Sequence, residues 1–221
     1  MFFPLLLMNT SAFLNAHRHK VPFITFVLTL PLLFSACISL SVETLIQKHI
    51  KRDVSPKDFI ICRDYGCYRK IRIGLSDKEW DQIRALFKNP SKTAAQERQK
   101  IARAISRIEK LVGPKAGISE KLISTPIFFK AKWGQMDCID EAYNTTLYLT
   151  LLKQDGLITF HKVGQPLRRG YLMNCLPHHT ATIIEQKTGK QFAVDSYFHA
   201  NGDPPEIVPA EKWLSCWDPI K

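Results

Sequence analysis

Ile139, Ala142, Tyr143, Leu147, Leu149, Thr150 and Leu152 recur at helical spacings between a break at Gly134 and a stop at Asp155-Gly156. The chain is organised around this apolar-striped helix. Cys138 falls in or just before its first turn. A helix N-terminus carries about +0.5 of an elementary charge and unpaired backbone N–H groups. Both favour the thiolate, so the position suits a nucleophile. The plainer readings of Cys138 are a small buried apolar residue or half of a disulfide.

Beyond Gly156 the pattern changes from helix to strand. Leu157–Val163 reads as a short strand, and Pro166-Leu-Arg-Arg-Gly170 as a basic turn. His179–Glu185 and Gln191–Tyr197 read as a hairpin about Lys187-Thr188-Gly189-Lys190. Asn201–Pro205 is a loop, and Pro209 can open a last short helix carrying Trp213 and Trp217. Upstream, Ser76-Asp-Lys-Glu79 is a capping box for a helix with Trp80, Ile83, Leu86 and Phe87 on one face, ended by Asn89-Pro90. Thr93–Val112 is a second helix, closed by Gly113, with Ile101, Ala104, Ile105, Ile108 and Leu111 as its stripe. Its lysines and arginines read most simply as a solvated face. Helices first and an antiparallel sheet afterwards make an α+β domain, in which a helical layer precedes the cysteine helix and its sheet.

The chain divides into residues 1–36, a lead-in over 37–75, and a domain over 76–221. Arg18 and Lys20 precede an uncharged run from Val21, and Ser35-Ala36-Cys37 follows its apolar core. That order makes an export signal, and its end resembles a bacterial lipobox, in which Cys37 is lipidated. The uncharged run continues to Val42, long enough for an uncleaved membrane anchor instead. Either reading puts the domain on the periplasmic side of a membrane, tethered at its N-terminal end. Removing residues 1–36 leaves 185 residues and lowers the net charge from +11 to +9. A basic exported chain is drawn to anionic headgroups or an anionic envelope polymer. With no aromatic-interleaved basic motif, nucleic acid is not expected as a partner.

Five further cysteines follow Cys37. If Cys138 works as a thiolate, four remain in an oxidising compartment, and Gly66 lets Cys62 and Cys67 close locally, leaving Cys175 for Cys216. No cluster has metal-ligand spacing, and neither metal nor cofactor is expected.

A cysteine on a helix, a histidine on one strand and an acid on the next form the set a thiol nucleophile needs. A three-residue loop Lys187-Thr188-Gly189, with Gly189 left-handed, sets Asp195 opposite Ala181. Asp195 then shares a face with His179. A two-residue Thr188-Gly189 loop would shift the register and select His178 as the base.

Three blocks, Gly134-Gln-Met-Asp-Cys-Ile-Asp-Glu-Ala142, His179-Thr-Ala-Thr-Ile-Ile and Phe192-Ala-Val-Asp195-Ser, resemble the transglutaminase-like superfamily, in particular its bacterial cysteine-peptidase-like branch. The resemblance covers roughly residues 130–198. It implies a papain/transglutaminase-like core with Cys138, His179 and Asp195 as nucleophile, base and orienting acid. The usual Ala-Trp after the histidine is replaced by Thr180-Ala181, and Gly156 falls about one turn late. The Cys138 N–H is one candidate oxyanion donor, with the Gln135 amide or the Trp133 indole as the second. The activity implied is peptidase, amidase or acyl transfer on a peptide, protein or envelope amide. Asp137-Cys138 also resembles NlpC/P60 cell-wall amidases, without the Ser-Gly that normally follows. The non-enzymatic alternative is an envelope lipoprotein using the fold as a binding or structural module.

Overall fold

The computed structural model describes residues 50, 54–118, 134–170 and 175–219. The Val21–Val42 run, Cys37 and Trp133 lie outside them. Among the described residues no helix is long and apolar enough to cross a membrane. The lead-in, which carries no legible pattern, contains an antiparallel pair, β1 (Phe59–Arg63) and β2 (Arg69–Ile73).

Helix α1 (Asp77–Ala85) opens on the expected capping box, with Ser76 accepting from the Glu79 N–H and Glu79 accepting from the Ser76 N–H. Trp80 and Ile83 are buried beneath it. Helix α2 (Ala94–Ala116) is capped by Thr93 and runs past its expected end. Gly113 lies inside the helix, and the left-handed cap is Gly117, at φ 61°. Gly113 is instead a close-approach residue, since a Cβ there would meet the Asn201 side chain at 2.7 Å. Pro114 sits in the last turn.

Helix α3 (Cys138–Gln154) is the predicted cysteine helix, stopped at Asp155 with Gly156 at φ 73°. It is buried on nearly every side: Tyr143, Leu147, Tyr148, Leu149, Leu151 and Leu152 are at most 1% exposed. The burial follows from its place, with β1 and α2 against it on some sides and a sheet on another.

That sheet is antiparallel and centred on β5 (His178–Glu185). One flank of β5 carries β6 (Gln191–Asp195) and then β7 (Glu206–Pro209). Its other flank is shared, with β4 (Leu167–Arg169) pairing with its first residues and β3 (His161–Val163) with its last. The expected basic turn at 166–170 is thus largely strand, because Leu167–Arg169 finds a ladder on His178–Thr180. The strand expected from Leu157 starts only at His161: the Thr159 and Phe160 N–H groups turn to the Glu97 carboxylate instead. Pro209 precedes a short helix α4 (Ala210–Leu214), which buries Trp213 completely, and Trp217 lies just past it. The disulfides are Cys62–Cys67 and Cys175–Cys216, with Cα separations of 4.5 and 5.5 Å, and Cys138 is free. The α+β class holds.

Candidate active site

Cys138 is the first residue of α3, preceded by Asp137 as N-cap. Asp137 Oδ1 accepts from the Ile139 and Asp140 N–H groups, both at 3.0 Å. Asp140 returns the bond by accepting from the Asp137 N–H at 3.1 Å. The orphan donors that were to favour a thiolate are therefore largely taken by a carboxylate. Burial and the Asp137 charge push the Cys138 thiol up to about 12, and Asp195 adds to this; the N–H groups of His179 and of Cys138 itself oppose it. At neutral pH the sulfur carries its proton. This corrects the expectation drawn from the helix terminus alone, because burial disfavours the thiolate and the Asp137 carboxylate at the cap adds to it, together outweighing the dipole.

The His179 N–H at the sulfur shows that the start of β5 lies against the cysteine. The ladder there differs from expectation by one residue. Val194, not Asp195, is opposite Ala181, and Asp195 falls next to Thr180 on the face that also carries His178. The reason is the loop. It is one residue longer than expected: the Glu185 N–H donates to the Lys190 carbonyl at 2.9 Å and the Glu185 carbonyl accepts from the Gly189 N–H at 2.8 Å, so the ladder closes at Glu185–Lys190 and Gln186 belongs to the turn. Gly189 is left-handed as expected, at φ 71°.

His178 Nε2 meets Asp195 Oδ2 at 2.8 Å, and Trp213 Nε1–H donates to the same oxygen at 2.7 Å. Asp195 Oδ1 accepts from the Tyr197 N–H at 3.1 Å. Burial raises the Asp195 carboxyl, but the His178 imidazole, the Trp213 indole and the Tyr197 N–H outweigh it and hold Asp195 below the usual carboxylate range. The His178 ring is enclosed by Tyr197 at 4.8 Å, Phe198 at 5.3 Å and Trp213 at 5.6 Å between centroids. His179, expected to take Asp195, lies on the opposite face of β5 across from Arg168. Burial and the Arg168 charge press its pKa down to about 4, so it is neutral at neutral pH. Burial, with the Cys138 and Asp137 charges adding to it, lifts the Tyr197 phenol to about 12, which keeps its proton in place.

The Cys62–Cys67 turn is bonded to the start of α3. Asp64, Tyr65, Gly66 and Cys67 are all left-handed, with φ between 59° and 68°. Their N–H groups are spent on α3 and its lead-in. Tyr65 and Cys67 donate to Asp140 at 2.9 and 2.6 Å, Gly66 donates to Asp137 at 2.9 Å, and Asp64 donates to the Gln135 carbonyl at 2.8 Å. Asn144 fastens the same turn through the Cys62 N–H and carbonyl, each at 2.8 Å. Gln135 is 5% exposed, and its backbone carbonyl thereby anchors this turn. Among the described residues Cys62, Cys67 and Asp140 bring ligand atoms within 4.8 Å of one another, but their sulfurs form the disulfide and offer no thiolate to a metal.

The sequence reading missed Asp140 and Trp213 as parts of the site. The Asp137-x-x-Asp140 pattern is a legible capping box in hindsight; nothing local marks Trp213 as the partner of Asp195. No family model, curated protein or solved structure matches the chain.

Proposed function

We propose that the chain is a transglutaminase-like thiol enzyme acting on amide bonds, with Cys138 as nucleophile, His178 as base and Asp195 as orienting acid. The observation that carries this reading is the buried His178–Asp195 pair, 2.8 Å apart, on the strand that begins against the Cys138 sulfur. Asp195 engages Nε2, which leaves Nδ1 of the same ring to take the thiol proton. Because the resting thiol is protonated, that proton moves as the sulfur attacks the substrate carbonyl carbon. An S–C bond forms, and the carbonyl oxygen becomes an oxyanion, for which the Cys138 N–H is one donor candidate and the Gln135 amide a second. Collapse breaks the C–N bond, and the leaving amine departs with the proton from the imidazolium. Water or an acceptor amine, deprotonated by His178, then releases the acyl group from sulfur.

Export to the periplasmic face, with lipidation at Cys37, belongs to the same proposal and draws support from the two disulfides. A non-catalytic envelope module is the second reading, favoured by the one observation that the thiol is held at about 12.

The deciding experiment follows acyl transfer from p-nitrophenyl acetate, with mass spectrometry for an acetyl group on Cys138. Burst acylation and turnover should vanish in Cys138→Ser and in His178→Ala, and survive in His179→Ala. Loss in His179→Ala with retention in His178→Ala would transfer the role of base to His179. Unchanged rates in Cys138→Ser would leave the module reading.

A further inference from the structure

We propose that the outer crest of α2 is a docking surface for an anionic lipid bilayer. Lys100, Arg103, Arg107 and Lys110 lie on that crest, at successive steps of three, four and three residues. At about 100° and 1.5 Å per residue they occupy an arc of roughly 80° along about 15 Å of helix. Arg103, Arg107 and Lys110 are exposed, and Lys100 is partly so.

The acids of α2 offer these cations no relief. Glu97 and Glu109, the only carboxylates in the helix, are 1% and 4% exposed and are used internally. Glu97 binds the Thr159, Phe160 and His161 N–H groups and the His161 ring. Glu109 takes the Gly202 N–H at 2.8 Å. The flanking basic residues are already paired, Arg98 with Glu185 and Lys115 with Glu79. Among the described residues, no carboxylate pairs with any of the four crest cations. Arg107 instead meets the neutral Gln82 side chain, and Lys100 the Asn89 carbonyl. Lys88 and Lys92, exposed on the turn that Lys100 touches, extend the same sign of charge.

The shape selects the partner. The crest is a convex ridge, with Gln96 and Pro114 as its other members, and it has neither a groove to track a polymer nor an aromatic to stack a base or sugar. Its apolar side is committed to the core, so the helix can lie against headgroups but cannot insert. Clusters of four or more cations on one helix face are what an anionic leaflet attracts, each cation adding about fivefold in affinity.

The test acylates the full chain with an amine-reactive ester, beside phosphatidylcholine vesicles or beside vesicles that also contain phosphatidylglycerol. Acylation is read lysine by lysine by mass spectrometry. Lys100 and Lys110 should react several-fold more slowly on the anionic vesicles, while Lys162 and Lys187, exposed elsewhere, are unchanged. Arg103→Gln with Arg107→Gln should abolish the protection, as a loss of roughly 25-fold in surface affinity requires. Half-molar salt should abolish it in the unaltered chain, which tests the surface without any substitution. Equal rates on the two vesicle types would overturn the proposal. Equal protection by soluble dextran sulfate would replace the bilayer by a polyanion, and protection spread evenly over Lys162 and Lys187 would reduce the crest to net charge.

Discussion

Asp137 does two things at the mouth of α3 that oppose each other. As N-cap it satisfies the Ile139 and Asp140 N–H groups, and as a charge it keeps the neighbouring thiol protonated. Asn caps a helix about as well as Asp. Asp137→Asn should therefore keep the cap, lose the bond from the Gly66 N–H and so lower the urea midpoint modestly, while lowering the Cys138 pKa from about 12 and speeding its alkylation by iodoacetamide several-fold at pH 8. An unchanged alkylation profile would mean that the Asp137 charge does not set the thiol. Trp213 acts at the opposite end of the site. Trp213→Phe keeps a ring against Arg169 and His178 but removes the N–H given to Asp195, together with part of the buried indole's volume. That bond helps hold Asp195 below the usual range, so its loss raises the Asp195 pKa, and the acid limb of any acylation profile should move to higher pH. The unfolding free energy should fall by about 1.5–3 kcal/mol, the worth of a hydrogen bond to a charged group.

Among the elements, the Cys62–Cys67 turn shows how a costly backbone is retained. Non-glycine residues in the left-handed region cost roughly 1–2 kcal/mol each, and Asp64, Tyr65 and Cys67 are all there. Asp140 offsets that by accepting from both Tyr65 and Cys67, with the disulfide closing the ends. Burial and the Asp137 charge raise the Asp140 carboxyl, so those N–H groups work against its desolvation. Asp140→Asn turns an amide NH₂ toward one of the donors; urea unfolding should record a loss of about 1–3 kcal/mol, as for a buried donor left unmet. Local signals of this kind are what the sequence makes legible. The Ser76–Glu79 box, the Gly189 conformation, both disulfides and the start and stop of α3 were all readable from neighbours in the chain. The register of β5 on β6 was not, because Gly189 marks the turn without giving its length, and the loop takes in Gln186 as a fourth residue. One residue of register exchanged His179 for His178. Similarly, Gly113 looked like a stop because Asn201, which explains it, is far along the chain.

At the scale of the molecule, Glu97 joins the helical layer to the sheet. It is buried, accepts from three successive N–H groups of residues 159–161 and pairs with His161 at 2.8 Å. Burial works to raise its pKa, but these donors outweigh it and bring it down to about 2 from 4.5. A carboxyl depressed on folding stabilises fully above its unfolded value; the contribution fades as pH drops from about 4.5 toward 2. The shift corresponds to about 3 kcal/mol, so Glu97→Gln should destabilise by that order at pH 7 and flatten the acid side of the stability curve, as chemical denaturation at a series of pH values would record. The general α+β class was legible because periodicity changes once, at Gly156. β1, β2 and β7 were not, being short strands whose pairing gives little alternation. The Cys175–Cys216 bond has a topological result as well. It closes a ring, with its ends 41 residues apart, that contains His178, Asp195 and Trp213 together. The exposed Lys187 and Lys190 lie within that ring. A trypsin cut at either one breaks the chain without releasing a piece: the nicked protein should migrate as a single species until a reductant is added, and only then fall into two.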